Sequence, residues 1–324
     1  MTSVNWEGSG LPPAAQARMA EIRESGTWGS ALSTAEFAAI RSTGFEPAGQ
    51  VLGAAVYNVG YRGWGCPSFG YVGSFNRMSP GWTGGYGRAV TAVSSSGSGS
   101  AYAPLVQTLY QARRSAIGRM VAECSALGGH GVVGVRLTIA AFPAGGLEFK
   151  AIGTAIRAPG AAPLREPFTS DLSGQEFAKL MADGVVPVGL ALGISVGARH
   201  DDWLTRSQSR WGTGNTEVFG YTELVNLTRH DARDQLARDV ARLGAEGVVI
   251  ERMDMHIGEH ECSAQEGARD HLAEVTIIGT AITHFIRSSR STERPSLAIL
   301  SLDPQRRQAA RVRLGKDEHG TSGH

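Results

Sequence analysis

The chain has 324 residues, and its 31 Lys plus Arg stand against 30 Asp plus Glu. That length holds two ordinary domains, and the near-zero net charge excludes a basic, non-specific nucleic-acid binder as well as an acidic disordered chain. Residues 1–10 are polar rather than leader-like, and the longest apolar stretch, 185–198, is too short and too rich in glycine to span a bilayer. A cytoplasmic protein with reduced cysteines (Cys66, Cys124, Cys262) and no membrane or nucleic-acid partner is expected.

Residues 1–32 read as an N-terminal helical extension. Ser33 and Glu36 then have capping-box spacing, which predicts a short helix ending near Gly44. The apolar run 50–57 reads as a buried strand. A loop rich in glycine and aromatic residues follows over 57–87, and a Ser/Gly tract over 94–100. Ala116, Met120, Cys124 and Leu127 recur at helical spacing, so a long helix is expected over about 105–127, stopped by Gly128. Two strands, 131–139 and 147–157, close this first unit. An Ala/Pro-rich linker is expected over 158–171.

From Ser173 the pattern returns. Glu36, Phe37, Gly44, Pro47, Gly49, Leu52 and Gly53 reappear 140 residues later as Glu176, Phe177, Gly184, Pro187, Gly189, Leu192 and Gly193. Leu127-Gly128 reappears 116 residues later as Leu243-Gly244, and Gly153-Thr154-Ala155 reappears 126 residues later as Gly279-Thr280-Ala281. The expectation is an α+β protein of two tandem β-α-β-β units, at 33–157 and 172–286, each an antiparallel sheet with one long helix on one face. Residues 287–324 read as a disordered, Arg-rich tail.

The segments Ala126-Leu127-Gly128, Val132-Val133-Gly134-Val135 and Ile152-Gly153-Thr154-Ala155-Ile156, with their second copies, resemble the YbjQ-like heavy-metal-binding family. The resemblance implies a dodecin-subunit-like fold and assembly into rings, with a homopentamer of coaxially stacked rings favoured for this two-unit chain. His130, Glu246 and Ile250-Glu251 depart from the family pattern.

The densest set of metal-ligating residues is the second hairpin, with His256, His260 and Cys262, and His271 on the return strand. In an extended chain the first three share a face, and imidazole with thiolate suits zinc, copper or nickel. Asp201-Asp202 reads as a solvated turn, and Cys124 as a small core residue. No nucleophile elbow, catalytic triad signature or phosphate-binding loop is present, so a non-enzymatic binding or scaffold protein is expected. The alternative is a small-molecule or enzymatic site in the Gly/aromatic loop. That loop and the tail are also the candidate docking segments for a protein partner.

Overall fold

A computed structural model of the chain describes residues 6, 10–26, 29–59, 91–95, 102–143, 145–162, 164–210, 214–262 and 269–285 (for His260, the backbone). Among these, six helices and eight strands follow in the order α1 (Pro13–Ser25), α2 (Thr34–Ser42), β1 (Glu46–Tyr57), β2 (Thr91–Val93), α3 (Ala103–Ala126), β3 (Gly131–Ala141), β4 (Leu147–Arg157), β5 (Phe168–Thr169), α4 (Gly174–Ala182), β6 (Val185–His200), α5 (Trp203–Gln208), α6 (Phe219–Arg242), β7 (Gly247–Glu261) and β8 (Arg269–His284). They build an α+β molecule with two four-stranded sheets, ordered β1-β4-β3-β5 and β2-β6-β8-β7.

Local chemistry sets the helix starts. Ser33 and Ser173 each accept from the backbone N–H three residues on, while Glu36 and Glu176 accept from the N–H of the capping serine. Helices α3 and α6 both stop at a left-handed glycine, Gly128 and Gly244.

Each long helix lies almost in contact with the backbone of a strand. A Cβ on Gly53 would stand 1.9 Å from the carbonyl oxygen of Ala116, and one on Gly193 would stand 2.2 Å from that of Ala232. Only glycine against a small helix residue permits that approach. It brings Ala112, Ala116, Met120 and Cys124 of α3, and Ala232, Leu236 and Val240 of α6, into the cores. Cys124 is fully buried, and burial pushes its thiol up to about 12. Each helix also sends a buried carboxylate to the edge of its sheet. Glu123 accepts from the Leu52 N–H at 2.7 Å, and Asp239 accepts from the Leu192 N–H at 2.9 Å.

The two sheets share a core. Leu190, Leu192, Ile194 and Val196 of β6 pack with α3 and with Val51 and Phe149 of the first sheet. The Tyr110 hydroxyl of α3 meets β6 edge-on, accepting from the Ile194 N–H at 2.9 Å and donating to the Leu192 carbonyl at 3.2 Å. The segment read as a linker ends in β5, which pairs in parallel with β3 and covers its outer edge. Phe168 and Phe177 then stack at 5.8 Å over Val133, Ile156 and Ile40.

Two outcomes follow. Gly193→Ala should cost on the order of 2–3 kcal/mol through overpacking, read as a lower midpoint in urea, whereas Gly118→Ala, on the open face of α3, should not destabilise. Hydrogen bonds from Ser33 and Ser173 hold the Glu36 and Glu176 carboxyls below their ordinary 4.5. A folded value below the unfolded one gives stability that is present above pH 4.5 and lost as pH falls through the folded value. The double variant Glu36→Gln/Glu176→Gln keeps the capping box but loses its charge, so it should lose only about 0.5 kcal/mol per cap at neutral pH. Its melting temperature should also fall less steeply than the wild type's on acidification.

Candidate metal centre

Three strands of the second sheet are longer than their counterparts in the first. β6 continues to His200, β7 continues to Glu261, and β8 begins at Arg269. The register sets His200 of β6 and His260 of β7 on either side of Asp270 of β8. Cys262 follows the end of β7 and is buried.

His200, Cys262 and Asp270 each aim a ligand-type atom at one point, with all three atoms within 4.8 Å of one another. His200 Nδ1 and Asp270 Oδ1 are 2.7 Å apart. The donor set of one imidazole, one thiol and one carboxylate suits a borderline ion such as zinc, with a fourth position left for water or another ligand. The residues present therefore fit a divalent transition metal, which would tie together the ends of three strands.

A second cluster lies beside the first, because successive residues of β8 point to opposite faces. His271 Nδ1 stands 3.1 Å from Asp201 Oδ1. Their geometry is off the hydrogen-bond line, so both buried atoms lack an aligned partner among the described residues. Tyr221 packs against His271 with the rings tilted by 50° and their centroids 4.5 Å apart, and it donates its hydroxyl to Asp201 at 3.0 Å. Burial, then the Asp201 carboxylate, pushes the Tyr221 phenol up to about 12, so it remains a donor at neutral pH.

Of the four ligands predicted from sequence, Cys262 joins the cluster, and the His260 backbone lies opposite Asp270 while its side chain lies outside the described residues. His256 pairs with Glu274, four rows from Asp270 along β8, and is exposed. At about 3.4 Å per residue, four rows is about 14 Å. His271 lies with Asp201 and Tyr221 instead. The pair Asp201-Asp202 is not a solvated turn: Asp201 is buried, and Asp202 caps α5 through the Thr205 N–H at 2.7 Å. Sequence reasoning missed His200, 62 residues before Cys262. Its signal was the polar run Arg199-His200-Asp201-Asp202 at the end of an apolar strand.

Cys66, nearly all of the Gly/aromatic loop and the tail after residue 285 lie outside the described residues. No described helix is long and apolar enough to cross a membrane.

The YbjQ family, described as "Putative heavy-metal-binding", matches residues 83–159. That match ends before β6, so the cluster in the second sheet stands on its own geometry. The chain is 31% identical over 283 residues to the encapsulin nanocompartment protein of Mycobacterium tuberculosis, covering 85% of this chain and 92% of that protein. It is 44% identical over 50 residues to a UPF0145 protein of Clostridium perfringens, covering 15% of this chain and 47% of that protein. No solved structure matches. The chain therefore carries a YbjQ domain over residues 83–159, and its likeness to nearly the whole length of the mycobacterial protein places it in the same family as that encapsulin nanocompartment protein.

Proposed function

We propose that the chain is a non-enzymatic scaffold of two dodecin-like β-α-β-β units that assembles into a closed homo-oligomer and holds a divalent transition metal ion. The convergence of His200, Cys262 and Asp270 carries the metal reading. The ion acts as a clasp: it fixes the end of β6 against both arms of the long hairpin at its tip, in a pocket where Cys262 and Asp270 are buried. When bound, it supplies charge that holds thiolate and carboxylate together where burial alone would drive them apart.

Three sets of paired contacts support the duplicated unit. Leu52 N–H to Glu123 matches Leu192 N–H to Asp239. Gly53 on Ala116 matches Gly193 on Ala232. Ser30 with Thr154 matches Ser170 with Thr280. Assembly is supported by exposed apolar residues on one sheet edge, and the relative named for a nanocompartment makes a cytoplasmic assembly the natural setting.

The test is metal content and affinity. Protein purified without chelator should carry zinc, copper or nickel near one ion per chain. Cobalt titration of metal-free protein should give thiolate charge-transfer absorption. His200→Ala and Cys262→Ser should each weaken binding by at least about tenfold, since even second-shell losses cost that much, while His256→Ala should not. Equal weak binding in all four proteins would overturn the metal reading. Ligands must shed protons to bind, so affinity should fall as pH is lowered.

A further inference from the structure

The outer edges of the two hairpins differ. In the first sheet, β3 is covered by β5 and the residues after it. The Ser170 N–H donates to the Val132 carbonyl at 2.8 Å, the Val135 N–H donates to the Ser170 carbonyl at 2.9 Å, and the Gly134 N–H donates to the Leu172 carbonyl at 3.0 Å. In the second sheet, β7 is paired only with β8 among the described residues. Val249, Ile250, Met253 and Ile257 are exposed along it.

The segment equivalent to 169–172, 140 residues earlier, is 29–32. Its inner side is already placed. The Gly29 carbonyl accepts from the Gln50 N–H of β1 at 2.7 Å, and the Ala31 N–H donates to Thr154 at 3.3 Å, as the Asp171 N–H donates to Thr280 at 3.1 Å. Its outer side is the less covered one among the described residues, with only Leu32 packed on the Ile40, Val133, Ile156 and Phe177 cluster. Thr169, Ser170, Asp171 and Leu172 are all buried, whereas Gly29 and Ala31 are exposed and Ser30 and Leu32 half-buried.

We propose that the free edge of β7 takes residues 29–32 of a second copy of this chain as a parallel strand, and that this contact, repeated, closes a ring in which the two units of every chain alternate. This rests on the duplicated-unit reading above. Side-chain burial follows the same rule. Val133, Ile156, Ile40 and Phe177 form a fully buried cluster where α2 and α4 meet over the β3 edge. Their counterparts are Val249, Ile282 and Leu180 in the second unit and Phe37 in the first, and every one of these is partly or fully exposed. A neighbouring copy supplies Phe37 to the other three.

The joint between chains is not a replica of the joint within one. A Cβ on Gly174 would stand 2.7 Å from the Glu36 Cβ, and its counterpart is Thr34, so the helices at the intermolecular joint stand wider apart. Gly134 is left-handed in the β3 bulge, where β7 has Ile250. The β7 bulge instead leaves Glu251, the counterpart of Val135, as the extra residue without a partner on β8, and its N–H is the one assigned to the neighbouring copy. Side-by-side units within a chain give any closed ring an even number of units, which replaces the stack of two five-membered rings.

Native mass spectrometry and light scattering at micromolar protein should show one closed oligomer with a whole number of chains. Glu251→Pro removes the outward N–H without costing a β7–β8 ladder bond, and should weaken association at least tenfold. Leu32→Cys/Ile250→Cys, oxidised and run on a non-reducing gel, should yield multiples of the 34.2 kDa chain, while either single variant should not. If Glu251→Pro fails to fold, the cross-link alone decides: absent, it overturns the proposal. An oligomer indifferent to Glu251→Pro and without the cross-link overturns the strand addition but leaves assembly standing. A wild-type monomer overturns both, and neither result touches the cobalt titration.

Discussion

Every β-sheet that is not a closed barrel ends in strands whose outward N–H and C=O groups need partners, and this molecule is organised around meeting that need. The inner edges use side chains. Glu123 and Asp239 reach from their helices to Leu52 and Leu192, and Tyr110 takes both a donor and an acceptor on β6. The outer edge of β3 uses backbone, through β5. The close helix–strand approach over Gly53 and Gly193 follows from the same need, because a short carboxylate reaches the edge only when the helix rides low on the sheet.

The buried acids show how that solution is stabilised. Burial holds the Glu123 carboxyl above its ordinary value, while the Leu52 N–H and the Arg18 guanidinium pull the other way. A buried charge without such partners would cost several kcal/mol. Asp239 is met by Arg114 and Arg242 as well as by Leu192. In both places a surface arginine neutralises a carboxylate whose other work is backbone hydrogen bonding.

The candidate metal centre depends on the same sheet. Without the extension of β6 to His200 and the start of β8 at Arg269, no register would set His200 against Asp270, and Cys262 would have nothing to face. The long hairpin therefore accounts both for the ligand cluster at its tip and for the uncovered edge along its length.

Local pattern determined a good deal of this. Capping spacing located α2 and α4, apolar periodicity located α3 and α6, and the spacing of 140 residues paired Gly53 with Gly193 before any contact was known. These are legible because each is set by residues near in sequence, or by a repeated text. The ligand set was only partly legible. Alternation along an extended chain put His256 beside His260 and Cys262, but a sheet brings residues together across strands, and the β6–β8 register decided that His200 would stand against Asp270, next to Cys262. Likewise, nothing local distinguishes the residues around Phe168 from a plain linker. Their role as the cover of β3 is settled only when the two sheets pack, because a hydrogen-bonding edge exists only once its sheet has formed.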